Sequence, residues 1–333
     1  MTGLAGALGV LALVLVAGCA APSGGTDRDV ALVETGAVLT DLVWATEVDA
    51  LVGLTEDDRL LLVDPTTGTT LHSLQLASSG DNLALLTEPT ERVFVPQPEL
   101  DRVAVVATAS LQHLRNLDVG HEPSWVATSA PAHTLFALSE NGATVTGVDV
   151  ETHEVNVRQS VDAGHDGEVE GAENSRTPSF WVATPERVAH YGRGHPPRLT
   201  GEWRGQVSTD AFGPDRDEAE RAYLAEEGSS RVLALDRAAG EISVVDEQDV
   251  GAPVEVLESR AKEEFRVFVV TEDRLKVLRF DDLRVLDDVE FRGVLDHAGL
   301  AGATVSGMAV GDHYVYLTLD GESQVVRIQK PSE

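Results

Sequence analysis

Arg59-Leu-Leu-Leu-Val-Asp64 is a basic residue followed by an apolar run and an aspartate, and the same phrase returns along the chain. Its copies are Arg102-Val-Ala-Val-Val-Ala107, Thr144-Val-Thr-Gly-Val-Asp149, Arg187-Val-Ala-His-Tyr-Gly192, Arg231-Val-Leu-Ala-Leu-Asp236, Arg274-Leu-Lys-Val-Leu-Arg279 and Gln324-Val-Val-Arg-Ile-Gln329. Successive starts lie 43, 42, 43, 44, 43 and 50 residues apart. A fixed period of this length marks a repeat architecture, each copy being one supersecondary unit that buries its apolar faces against its neighbours.

About ten residues before each copy stands a second short β-rich run: Ala50-Leu-Val-Gly-Leu54, Arg92-Val-Phe-Val-Pro96, Leu135-Phe-Ala-Leu138, Phe180-Trp-Val-Ala183, Ala222-Tyr-Leu-Ala225, Val267-Phe-Val-Val270 and Tyr314-Val-Tyr-Leu317. Turns such as Asp64-Pro-Thr-Thr-Gly68 follow several copies and lead into a further alternating run, as in hairpin-linked strands. A preceding run, such as Leu42-Val-Trp-Ala45 or Ser124-Trp-Val-Ala127, brings the unit to four strands. Seven such units predict an all-β fold, a seven-bladed β-propeller of four-stranded antiparallel blades. The last copy ends at Gln329 with no room for a fourth strand, so Val30-Ala-Leu-Val-Glu34 is expected to supply it and clasp the ends together. Helical periodicity is nearly absent; Asp217 to Glu227 reads as a loop running into a strand, and Gly164 to Ser179 stands where the first strand of blade four is expected.

The N-terminus has a different character. Gly3 to Gly18 carries no charge and has the length of a secretory apolar region, too short for a comfortable membrane span. Val16-Ala17-Gly18-Cys19 resembles the bacterial lipobox, in which cleavage precedes a lipidated cysteine. That resemblance implies a signal peptide over residues 1–18, a lipidated Cys19 opening a flexible tether over 19–28, and a propeller over 29–333 on the extracellular or periplasmic side of the cell membrane. Several acyl chains on one residue hold a protein durably, at about 0.8 kcal/mol per buried CH₂. The chain has one cysteine, so this chemistry uses the only thiol.

The third repeat reads Val119-Gly-His-Glu-Pro-Ser-Trp-Val-Ala127, Thr134-Leu-Phe-Ala-Leu138, Val145-Thr-Gly-Val-Asp149 and Thr152-His-Glu-Val155. It resembles the YVTN-type propeller repeat of bacterial surface proteins, with blades one, five and seven matching in part and blade four departing most. The resemblance implies an extracytoplasmic propeller of the binding or scaffolding kind, in a group that also includes metal-carrying periplasmic proteins and some enzymes.

In its 333 residues the chain holds 56 Asp+Glu against 25 Lys+Arg, a formal net charge of −31. Such a field repels nucleic acid and anionic surfaces and suits basic proteins or metal cations. Only three of the basic residues are Lys, which reads as codon bias with adaptation to salt. One cysteine excludes an internal disulfide and cysteine-based metal clusters. No Gly-x-Ser-x-Gly elbow, His-Glu-x-x-His or phosphate loop occurs.

Two constellations carry possible chemistry. Asp162-Ala-Gly-His-Asp166-Gly167-Glu-Val-Glu-Gly-Ala-Glu173 follows the twelve-residue calcium pattern at positions one, five, six, eight and twelve, with glycine at position three. The connectors between blades carry His121 with Glu122, His165 with Asp166 and His297 with Asp296, a residue set suited to Zn²⁺ if imidazoles converge at a channel mouth. The remaining histidines read as structural, the four tryptophans as core between blades, and Glu241 to Asp249 and Asp210 to Glu227 as acidic connectors. The sequence thus points to a membrane-anchored scaffold that binds a protein or small ligand at the channel face. A zinc or calcium carrier serving a membrane transporter comes second, and a metal-assisted lactonase-like hydrolase third.

Overall fold

The structure, a computed structural model, describes residues 28–130, 132–172, 178–192, 194–214, 221–238, 240–260 and 264–331. Its strands form seven four-stranded antiparallel sheets. The repeated phrase is the third strand of every blade, from Arg59–Val63 to Gln324–Gln329, and the run before it is the second, from Ala50–Thr55 to Tyr314–Leu319. These central strands are apolar on both faces because each blade is packed on both sides.

Alternating side chains of one blade serve two different seams. Leu135 and Ala137 join the cluster shared with blade two, whereas Phe136 and Leu138 join the one shared with blade four. The core is accordingly seven separate clusters, one at each junction, rather than one central mass. The tryptophans belong to this packing: Trp44 and Trp181 are buried, and Trp125 and Trp203 are packed against the clusters of their seams. The seven inner strands touch one another in sequence around the whole ring.

Closure follows the sequence expectation. Val30–Glu34 pairs antiparallel with Gln324–Gln329 and becomes the outer strand of blade seven. The other six outer strands each carry a β-bulge, within the first three residues in five of them and at mid-strand in Glu241–Asp249. A bulge unpairs one residue and increases twist, which blunts an exposed sheet edge.

Three expectations need correction. Blade four does have an inner strand, Glu168–Gly171, within the segment read as replacing it. Glu241–Asp249 is not a connector but the outer strand of blade five, with exposed acidic residues alternating along an edge. The stretch from Asp210, read as an acidic connector, holds a further strand, Phe212–Pro214, ahead of the expected one at Arg221–Ala225. A helix, Arg292–Ala298, also interrupts the connector into blade seven, and it accounts for the longer last spacing.

Candidate functional site

Antiparallel order decides which loops share a face. Hairpins between second and third strands emerge with the connectors that pass from one blade's outer strand to the next blade's inner strand, and we term this the upper face. All seven of these hairpins are acidic: Glu56-Asp57-Asp58, Glu99 and Asp101, Glu140, Glu186, Glu226-Glu227, Glu272-Asp273, and Asp320 with Glu322. On the lower face the hairpin of blade two, Thr108 to Leu111, has no carboxylate. The repeat therefore multiplies one local feature into a negatively charged surface around the channel mouth.

Inside the mouth, sheet register defines a ring of matched positions. Asp41 faces Leu54, Trp125 faces Leu138, Glu168 faces Ala183, Phe212 faces Leu224, Val256 faces Val270 and Gly307 faces Thr318. Asn82 stands at the matching place just before the inner strand of blade two, Ala84–Leu86. Asp41 Oδ2 accepts from the Leu83 amide of blade two at 2.6 Å, and Oδ1 accepts from Leu42 at 2.8 Å. Asn82 repeats this link one blade further on: its Oδ1 accepts from Val126 N at 3.0 Å and its Nδ2 donates to Val126 O at 2.7 Å.

The charges at this depth are perturbed. Burial pushes the Asp41 carboxyl up to about 7 against the pull of its two amides, and Glu258 adds repulsion. Glu168 is held well above the usual carboxylate range, mainly by burial and then by Asp210, Glu170 and Asp41, while the Thr209 hydroxyl opposes the shift. Asp210 and Glu255 are raised for the same first reason, desolvation. Glu258 pairs with Arg260 at 2.7 Å, and Arg260 reaches the Val310 carbonyl of blade seven at 2.8 Å. A carboxyl that keeps its proton to about 7, as Asp41 does, can act as a donor as well as an acceptor. Sequence reasoning missed this group. A lone acid within an apolar inner strand, as in Leu39-Thr-Asp-Leu-Val-Trp-Ala45, was the available signal.

The residues singled out from sequence sit on the upper face. His121 Nδ1 lies 2.7 Å from Asp101 Oδ1, its Nε2 lies 3.7 Å from Glu122 Oε1, and the Asp101 carboxylate holds the imidazole above its ordinary value. His165 is exposed and faces its neighbour Asp166 at 3.2 Å. His297 lies on the helix, with Nδ1 2.5 Å from the Gly293 carbonyl. The structure thus places these histidines in three local pairings, and among the described residues no three His, Cys, Asp or Glu side chains are grouped to hold a metal ion. Asp162 and Asp166 are exposed, and Glu173 lies outside the described residues, as does Cys19.

The proposed calcium loop has other ties. Ala163 N donates to Gly142 O at 2.7 Å and Val161 N to Ala143 O at 3.0 Å, which pins the segment to the hairpin of blade three. Gly142 has φ +77° and its added Cβ would fall 1.8 Å from Gly164 O, so that approach requires glycine. From Glu168 the chain enters the inner strand of blade four, so positions seven to ten of the pattern serve the sheet.

No protein-family model matches the chain, and no curated protein matches it in sequence. Its likeness is to solved propellers. The structure of U3-55K superposes with a TM-score of 0.69 at 11% identity, covering 91% of this chain and 98% of that one. The RRP9 WD40 repeats give 0.68 at 11% identity, covering 90% and 97%. A chain of the mitotic checkpoint complex gives 0.67 at 12% identity, covering 97% and 99%. The protein is a seven-bladed β-propeller, the fold that these chains share with it.

Proposed function

We propose that the protein is an extracytoplasmic lipoprotein, anchored through acylated Cys19, whose propeller binds a basic protein partner on its upper face. The observation that carries the binding reading is the presence of a carboxylate in every one of the seven hairpins on that face. Charge complementarity on such a face raises the rate of encounter and excludes acidic competitors. A rigid ring suits this role, since seven packed seams hold the loops without any one of them having to order on binding. Similarity to a chain of the mitotic checkpoint complex shows this architecture at work in a protein assembly.

The test is proximity labelling from the anchored protein, comparing the parent with a variant neutralised at Glu56→Gln, Asp57→Asn, Glu272→Gln and Asp273→Asn. A specific basic protein enriched by the parent and lost from the variant is the expected result. Equal enrichment by both chains, or none by either, overturns the reading. Mass spectrometry of the mature N-terminus tests the anchor separately: it is expected to show acyl chains on Cys19, and Cys19→Ala is expected to leave the membrane fraction.

A further inference from the structure

Phe265 is 64% exposed, the largest exposure among the large apolar side chains described, yet its backbone is fixed at φ +51°. The left-handed region is costly for a bulky residue, by roughly 1–2 kcal/mol, and persists only where the surroundings impose it. Leu111 and Leu283 also have positive φ, but both are buried in the core, which accounts for them. Phe265 instead occupies the turn position just before a second strand, left-handed also at Asp49 and His133, and keeps an exposed ring there. Its carbonyl accepts from Phe280 N at 3.0 Å, and its ring lies edge-on to Phe280 at 6.4 Å.

A closed circuit of contacts ties this corner to the point where the tether leaves. Glu264, beside Phe265, pairs with Lys330. The Lys330 carbonyl accepts from Arg28 at 2.9 Å, and Arg28 pairs with Asp287 at 2.5 Å. Just before Asp287 stand Val285 and Leu286, both exposed, on the strand that leaves the hairpin opened by Phe280. Arg28 begins the described chain, and Cys19 precedes it by nine residues, a reach of at most about 30 Å. Exposed Arg284 adjoins the same apolar pair.

Within this corner the carboxylates Glu264, Asp282 and Asp287 are each matched by a cation, Lys330, Arg279 and Arg28. A strongly acidic body is repelled by an anionic bilayer over a Debye length of about 8–10 Å, and least repelled where its charge is balanced. Exposed Phe and aliphatic residues bury at the headgroup boundary.

We propose that the lower corner of blade six, formed by Phe265, Val285 and Leu286 beside Arg284, is a lipid-contact patch that seats the propeller on the bilayer and turns the acidic upper face away from it. This rests on the lipid-anchor reading and gives the anchored molecule a fixed orientation.

The test uses the full-length, acylated protein in vesicles of phosphatidylethanolamine and phosphatidylglycerol. An environment-sensitive fluorophore is attached at Val285→Cys or, on the upper face, at Leu100→Cys, which replaces a residue that is 40% exposed. Acylation of Cys19 leaves the introduced thiol as the only one to label. A blue shift at position 285 with none at position 100 is expected, and Phe265→Asp is expected to abolish the shift while the protein still floats with the vesicles. Equal emission at the two positions, or a shift that survives Phe265→Asp, overturns the patch. Protein that does not float at all overturns the anchor instead, and the orientation falls with it.

Discussion

Blade seven and the six blades before it solve the same problem with different means. In blades one to six the outer strand follows its own hairpin, is joined by covalent chain, and carries a bulge. In blade seven the outer strand comes from the other end of the sequence, pairs in unbroken register, and carries none. It is held instead by side chains across the seam: Glu34 accepts from Ser323 Oγ at 2.6 Å and Gln324 Nε2 at 2.7 Å, Arg327 pairs with Asp29 at 2.9 Å, and Thr35 N donates to Ser323 O at 2.8 Å. Trp44 of blade one stacks on Tyr316 of blade seven at 5.6 Å at the adjacent junction between those two blades. A junction joined only by non-covalent contacts needs perfect register and a dense polar margin, whereas a covalently joined one tolerates a local irregularity.

The largest expected effect comes from removing that strand. Deletion of residues 29–37 takes away buried Val33 and the pairing of five residues, and thermal unfolding is expected to shift down by on the order of 10 °C or more. An unchanged melting temperature would break the distinction between the closing seam and the other junctions.

Next are the two polar links at ordinary junctions. Asn82→Asp places a carboxylate against the Val126 carbonyl and removes the Nδ2 donor, so a loss of about 2–3 kcal/mol at pH 8 is expected, smaller in acid, where the added group is protonated. Asp41→Asn makes the opposite change. The native Asp41 carboxyl keeps its proton to about 7 in the folded chain, against 3.8 as its ordinary value, so the folded state binds more protons between these values. Stability therefore falls as pH rises through that window and levels off above it. Asp41→Asn removes that pH dependence, but its Nδ2 cannot accept from Leu42 or Leu83, so the variant is expected to be about 1–2 kcal/mol less stable than the parent below pH 4 and to close that gap as pH rises to 8, by denaturant unfolding. A variant whose pH profile parallels the parent's would show that the junction does not feel this charge.

The smallest effect is expected at the rim of the seam. Glu34→Ala loses the links to Ser323 and Gln324 but from an exposed position, and about 0.5–1 kcal/mol is the expected cost in the same measurement. A larger loss would make the polar margin, rather than the paired strand, the main fastening.

Much of this was legible in the residues. Arg59, Arg102, Thr144, Arg187, Arg231, Arg274 and Gln324 each open a third strand at the position that the periodicity assigned. Val30–Glu34 is the clasp, with the same bounds. Outer and inner strands were harder to read. Glu241–Asp249 is acidic and half solvated, so its alternation looked like a loop, and Glu168–Gly171 is four residues long and rich in glutamate and glycine. His121, His165 and His297 do lie on outer-to-inner connectors, but His121 turns to Asp101 in the hairpin of blade two, a partner 20 residues earlier that no local spacing reveals.

The sequence by itself determined the number of blades, the order of their strands and the strand that closes the ring, because each follows from a repeated period and from local apolar alternation. It also set the sum of charge and the single thiol. Only the tertiary structure decided that the hairpin carboxylates share one face, that Asp41 and Glu168 lie in a desolvated channel mouth, and that exposed Phe265 stands at a corner where Glu264 and Lys330 lead to Arg28. Those relations join residues far apart along the chain, and desolvation and charge depend on what surrounds a group in space, not on its neighbours in sequence.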